Sequence, residues 1–265
     1  MALSQRKKMN LNLNSKRVLI TGASRGIGAA IANEFLTEKS KVCIVSRGSE
    51  DLYKLEKLFT KQFGAENIMC EECDCTKKSS LENLKENIKK NWNGIDIVIV
   101  NVGDGRSVDD ALPSDNDWKT TWDNNFESSI NTVRSFLPML KESKGNIIFI
   151  SSIAGIEAIG APVDYSTAKA AVIALAKNMS KKLAKDVRVN VIAPGNILFE
   201  GGVWDQKIQK NPNKIQKLIN TTVPMQRFGT PQDIAAAVVF LCSKKASFIT
   251  GTVLTIDGGQ TSSVL

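Results

Sequence analysis

The segment KRVLITGASRGIG, residues 16–28, decides the fold. An apolar run, Val18-Leu19-Ile20, ends in Thr21 and passes directly into the turn Gly22-Ala23-Ser24-Arg25-Gly26-Ile27-Gly28, which opens a helical pattern. A strand, a glycine turn and a helix in that order form the setting in which such glycines hold a phosphate. Gly22 permits the tight turn, Gly26 lets backbone amides approach a pyrophosphate, and Gly28 allows close packing of helix on sheet. The helix N-terminus then favours the anion. The spacing is GxxxGxG, so the general dinucleotide fingerprint GxGxxG is matched only loosely.

Outward from this segment, strand and helix signals alternate without a break. After the helix over 26–38 come the strand KVCIVS (41–46), a helix over 51–63, the strand NIMCEEC (67–73) and a helix over 79–92. Then follow IDIVIVN (95–101), a long helix from about 116 to 140, GNIIFISS (145–152) and a helix over 165–184. VRVNVIA (187–193), an irregular segment over 195–223, a helix opened by Thr230-Pro231 and TVLTI (252–256) complete the order. Strands this uniformly apolar are buried on both faces, as in a parallel sheet between helices. The expected architecture is α/β: a doubly wound, Rossmann-type parallel sheet in three α/β/α layers, one domain over 16–265. Residues 1–15 read as a flexible basic tail.

The 265 residues, 42% hydrophobic and 23% charged, suit a soluble globular protein with ample core. No apolar run approaches the roughly 18 residues of a membrane span, and the start lacks the apolar centre of a secretory signal, so a cytoplasmic protein is expected. Five cysteines, an odd number, fit a reducing compartment better than a disulfide framework. Cys70, Cys73 and Cys75 lie close together, but no histidine or fourth partner is near, and they read as strand and turn cysteines without a metal. The net charge of +8 is scattered over helix faces, and only Arg6-Lys7-Lys8 forms a run. That pattern reads as a solvated surface more than as an anionic-partner site, and neither nucleic acid nor membrane is expected.

The chemistry is carried by Tyr165 and Lys169 in YSTAK and by Ser152, thirteen residues before the tyrosine. A spacing of four puts Tyr165 and Lys169 on one helical face, where the ammonium can bias the phenol toward ionisation. A free tyrosine, with a pKa of about 10, is a poor acid or base at neutral pH. Beside a fixed cation and an oxidised nicotinamide its pKa is expected to fall into the useful range. The chain has no histidine, which removes the commonest general base.

Charge also speaks to the cofactor. A nicotinamide cofactor without a 2′-phosphate is usually held by an acid at the end of the second strand, about 20 residues after the glycines. Here that strand ends Val45-Ser46-Arg47, and the first acids are Glu50 and Asp51. Arg47 and Arg25 are placed to bracket a phosphate dianion, which favours NADPH over NADH. The other reading makes Arg47 a solvated strand-end residue.

With these motifs in place the chain resembles the classical short-chain dehydrogenase/reductases, and among them the 3-oxoacyl-carrier-protein reductases, from Lys16 to Gly259. Asp74, Asn101-Val102-Gly103, Asn125, Pro194-Gly195 and Ile256-Asp257-Gly258-Gly259 match the family's further motifs in order and spacing. The resemblance implies cofactor contacts at Gly22, Ser24, Arg25, Gly26, Ile27, Gly28, Ser46, Arg47, Asp74, Cys75, Asn101, Val102, Gly103, Tyr165, Lys169, Pro194, Gly195 and Ile197. It implies that Ser152 polarises the substrate carbonyl, that Tyr165 protonates it, and that Lys169 holds the nicotinamide ribose. The Asn125 region would then hold a water linking Lys169 to solvent. The chain departs from the pattern at Phe199, where many members carry a threonine that holds the cofactor's carboxamide. Asn196, Thr221 and Thr222 are the candidate replacements.

The segment 196–223 is expected to cover the substrate, either hinging at Gly201-Gly202 or standing as a static helical cap. Trp204 is placed either to stack on a ring or to pack in the core, and Arg106 to meet an anionic group or a surface carboxylate. The leading function is reduction of a ketone or aldehyde, a 3-oxoacyl thioester by resemblance. A keto-sugar or sugar nucleotide is the alternative substrate, and a non-catalytic NADP(H) sensor the alternative role; an epimerase of the extended branch is disfavoured by length and glycine spacing. The family's habit implies a homotetramer, or a homodimer, with Phe136, Leu137, Val172, Ile173, Leu175 and Met179 as candidate apolar contacts.

Overall fold

The computed structural model describes residues 10–263. Its strands and helices run β1 (Arg17–Thr21), α1 (Gly26–Thr37), β2 (Lys41–Ser46), α2 (Glu50–Phe63), β3 (Ile68–Glu72), α3 (Lys78–Trp92) and β4 (Ile97–Val100). They continue with α4 (Asp115–Trp122), α5 (Ser128–Ser143), β5 (Asn146–Ile150), α6 (Val163–Leu183) and β6 (Arg188–Pro194). The last part holds α7 (Val203–Lys210), α8 (Pro212–Thr222), α9 (Pro231–Cys242) and β7 (Val253–Ile256). All seven strands are parallel, in the order β3-β2-β1-β4-β5-β6-β7. This is the single-domain, doubly wound sheet the alternation implied.

Successive residues of a strand point to opposite faces, and the two faces carry two cores. Val18, Ile20, Ile44, Ile99 and Ile148 lie with Phe35 of α1 and Ile234 of α9. Leu19, Val45, Val98, Phe149 and Val191 lie with Leu84 of α3, Phe136 of α5 and Val172 of α6. Each strand thus needs apolar residues in both registers, which is why the sequence shows unbroken apolar runs. Phe136 and Val172, expected at a subunit contact, are spent in this core, being 0% and 1% exposed. Leu137, Ile173, Leu175 and Met179 pack against its margin.

Three further expectations are corrected. The proposed tail runs too far into the chain: Leu13 is 2% exposed and joins the core, and its carbonyl accepts from Ser40 Oγ at 2.8 Å. The Arg6-Lys7-Lys8 run lies outside the described residues. The helix from about 116 to 140 is broken by a π turn over Asp123–Glu127, where Ser128 N–H reaches the Asp123 carbonyl. The segment 195–223 is irregular only over its first part, 195–202, and α7 and α8 take up most of the rest: the Asn211 side chain caps α8 through Lys214 N at 3.1 Å, and Pro212 starts that helix. Thr230-Pro231 opens α9 through a full capping box with Asp233.

Candidate active site

Sheet order reverses between β1 and β4, and a crevice opens at the carboxyl ends of the strands there, where open α/β sheets bind ligands. The cavity, about 870 Å³, draws its lining from the segments after β1, β2, β3, β4, β5 and β6 and from α7 and α8. Of the residues singled out from sequence, Gly22, Ser24, Arg25, Ile27, Ser46, Arg47, Asp74, Cys75, Asn101, Val102, Gly103, Ser152, Tyr165, Lys169, Pro194, Gly195 and Ile197 all line it. Gly26, Gly28 and Asn125 stand behind this lining.

The glycine turn is held by close packing. Gly22 and Gly26 have φ of +63° and +57°, a conformation that favours glycine. A Cβ on Gly28 would sit 2.6 Å from the Gly22 carbonyl oxygen and 2.7 Å from Asn101 Nδ2. Asn101 explains the second contact: its amide donates to the carbonyls of Thr21 and Gly22 at 3.0 and 2.9 Å, so its side chain braces the turn. Gly26 faces the aromatic ring of Phe199, 2.7 Å from where a Cβ would be. The departure from the family pattern therefore replaces a small hydroxyl with a ring packed on the glycine turn. Of the proposed replacements Thr221 and Thr222 are otherwise engaged, donating within α8 to the Lys217 and Leu218 carbonyls at 2.9 and 2.8 Å, whereas Asn196 lines the cavity.

The two arginines flank the cofactor end separately. Arg25 Nη1 donates to the Gly201 carbonyl at 3.4 Å, and Arg47 Nη1 to Asn124 Oδ1 at 3.1 Å. Both are exposed, and neither has a carboxylate partner among the described salt bridges. Asp74 is tied by Thr76 N–H and Oγ1 at 3.1 and 2.7 Å. Burial pushes its pKa up, but those two hydrogen bonds, together with the Lys77 and Arg47 charges, hold the carboxyl below the ordinary value. The glycine turn, the helix N-terminus and two guanidinium groups without a carboxylate partner together fit a dinucleotide.

At the other end, Ser152, Tyr165 and Lys169 converge. Ser152 leaves β5 in extended backbone, its Oγ accepting from Ala154 N at 3.1 Å. Lys169 is 4% exposed; its Nζ donates to the Ile150 carbonyl at 3.2 Å and lies 5.7 Å from the centre of the Tyr165 ring. Burial alone lowers its pKa to about 8. The expected depression of Tyr165 does not arise in the chain by itself: burial raises the phenol, the Asp104 charge adds to that, and the neighbouring Ser152 hydroxyl opposes it. A lysine close to losing its own proton is a weaker cation than a solvated one.

The sequence did not reveal how the loop after β4 is fixed. Asn125, fully buried in the π turn, accepts from Asp104 N–H and donates to the Asp104 carbonyl, both at 3.1 Å, and also donates to Thr121. Gly103 sits so close that a Cβ there would meet Lys169 Nζ at 2.6 Å and Asn125 Oδ1 at 2.8 Å. Arg106 grips Asp104 bidentately, with Nε to Oδ1 at 2.9 Å and Nη2 to Oδ2 at 2.9 Å. It has met a carboxylate, as one of its two readings held. Ser107 Oγ donates to Asp164, which is 1% exposed and accepts from Tyr165 N at 2.7 Å. The one sequence signal for this lattice was the run of small and acidic residues from Gly103 to Ser107. Among the described residues no group of three or more His, Cys, Asp or Glu is placed to hold a metal, and no helix is long and apolar enough to cross a membrane.

With fold and site in view, the comparisons fall into place. Residues 22–261 match the family described as enoyl-(acyl carrier protein) reductase. The 3-oxoacyl-[acyl-carrier-protein] reductase FabG of Chlamydia trachomatis is 33% identical over 251 residues, 94% of this chain and 98% of that protein. Glucose 1-dehydrogenase 2 of Bacillus subtilis is 32% identical over 262 residues, 96% and 97% of the two chains. The L-sorbose reductase of Gluconobacter frateurii, solved with NADPH and L-sorbose, superposes with a TM-score of 0.89 at 26% identity, covering 97% of this chain and all of that one. The chain belongs to the short-chain dehydrogenase/reductase family and is an NAD(P)-dependent oxidoreductase of that family.

Proposed function

We propose that this chain is an NADPH-preferring reductase that converts a ketone or aldehyde to an alcohol, reversibly. The observation that carries the reading is the convergence of Ser152, Tyr165 and Lys169 at one end of a cavity whose other end is the glycine turn flanked by Arg25 and Arg47. The bound nicotinamide supplies a hydride to the carbonyl carbon. Ser152 Oγ donates a hydrogen bond to the carbonyl oxygen, and Tyr165 gives that oxygen its proton. Lys169, fixed by the Ile150 carbonyl, holds the ribose hydroxyls and adds positive charge beside the phenol. Asn125 keeps the 103–104 backbone in place around them. Gly22, Ser24, Ile27 and Gly28 serve the pyrophosphate, and Arg25 and Arg47 the 2′-phosphate.

The FabG relatives support a 3-oxoacyl thioester as substrate. A keto-sugar is the second reading, favoured by the L-sorbose reductase likeness over nearly the whole chain. The chain from Leu13 onward acts as one unit with 196–223 covering the substrate, in a cytoplasmic homotetramer or homodimer. The test follows loss of reduced-nicotinamide absorbance with NADPH and, separately, NADH over 3-oxoacyl thioesters, keto-sugars, diketones and simple ketones, with Tyr165→Phe alongside. Turnover by the unmodified protein alone supports the reading; binding of NADPH with no turnover in either direction would favour the sensor.

A further inference from the structure

The substrate end of the cavity carries an uneven charge. Apart from Arg25, whose guanidinium is turned to the Gly201 carbonyl, four charged side chains line it: Asp104, Arg106, Lys169 and Lys207. Asp104 and Arg106 cancel in their bidentate pair. Lys169 is buried and turned to the Ile150 carbonyl. That leaves Lys207, three residues after Trp204 on α7, with its Nζ 4.7 Å from the centre of the Trp204 ring. No carboxylate reaches it among the described residues. The acid nearest in sequence, Asp205, is already engaged, its Oδ2 accepting from Gly201 N at 2.9 Å and Gln209 Nε2 at 3.2 Å.

Trp204 is itself held from another side by Phe228, ring centres 5.5 Å apart. A ring so fixed steadies the ammonium without neutralising it. The charge remains free to take an anion by the stronger charge-assisted bond. The cavity wall also presents apolar side chains, among them Ile159 and Leu218.

We infer that Lys207, steadied on Trp204, is the specificity-determining cation of the substrate site, and that the physiological carbonyl compound carries an anionic group, a carboxylate or a phosphate, which this ammonium binds. The inference rests on the reductase reading and narrows its substrate class.

Two matched pairs test it: acetoacetate against methyl acetoacetate, and dihydroxyacetone phosphate against dihydroxyacetone. For each, kcat/KM with NADPH and the affinity of the NADP+ complex by calorimetry are measured for the unmodified protein, Lys207→Met and Lys207→Arg. The charged member of at least one pair is expected to be preferred about tenfold through KM, with the preference lost in Lys207→Met and largely kept in Lys207→Arg. Which pair shows it separates carboxylate from phosphate. Tighter binding of a charged member that Lys207→Met abolishes supports the site even if no turnover follows, an outcome that would count against the reductase reading alone. Equal binding within both pairs, or a preference that survives Lys207→Met, overturns the inference.

Discussion

The ring of Phe199 lies on Gly26, its Cε2 and Cζ 2.7 Å from the point a Cβ on that glycine would occupy. The residue that breaks the family's pattern thereby joins the 196–223 segment to the glycine turn. Gly26→Ala meets two obstacles, the ring and a φ of +57° that costs an alanine about 1–2 kcal/mol. The variant is expected to lose NADPH affinity roughly tenfold and some thermal stability. Adding Phe199→Ala removes the ring but not the backbone strain, so titration and melting of the double variant should recover part of the loss. Full recovery would show that φ is irrelevant there.

Tyr165→Phe keeps the ring and deletes the proton. Turnover is expected to fall about 10²–10⁴-fold while NADPH binding, followed by fluorescence, stays within a few-fold. A Phe variant that keeps its rate would remove Tyr165 from the proposed chemistry.

Arg47→Ala and Arg25→Ala each remove a guanidinium from the cofactor end. Each is expected to lower the ratio of NADPH to NADH kcat/KM by about tenfold, the scale of one charge-assisted hydrogen bond. Arg25→Ala also removes one of the two side-chain donors to the Gly201 carbonyl, leaving Gln206 Nε2 at 3.4 Å, so it alone should alter substrate KM. Unchanged cofactor ratios in both variants would return the arginines to plain surface residues.

Burial holds Lys169 near 8 against an ordinary 10.5. In the folded chain it gives up its proton earlier than in the unfolded one, so the unfolded state binds more protons between those values. Stability of the cofactor-free protein should therefore gain a contribution as pH rises from about 8 to about 10.5, by up to about 1.4 kcal/mol per pH unit. Denaturant melts across that window should show the gain, and Lys169→Met should erase it.

The chain has two tyrosines, so Tyr53→Phe leaves Tyr165 as the sole phenol to titrate in the ultraviolet. Without cofactor its midpoint should lie above 10, because burial outweighs the Ser152 hydroxyl. Saturating NADP+ should bring it down, since a cation then stands beside it. A midpoint below 10 in the free protein would mean that Lys169 suffices.

Much of this molecule was legible in one dimension because its signals are local. The inner strands must be apolar on both faces, α8 and α9 each open on a side-chain cap followed by a proline, and the glycine turn must follow β1 at once; none of these needs a distant partner. The Tyr165–Lys169 pair was equally visible, since a helical spacing of four is a property of the chain. Only the tertiary structure decided what those residues meet. The Asn125 clamp on Asp104 joins segments 21 residues apart, the Phe199 ring on Gly26 and the Arg25 bond to Gly201 span more than 170, and the pKa of Tyr165 depends on how deeply the folded chain buries it. Contacts of that range and the dielectric around a group arise from packing, and no local pattern encodes them.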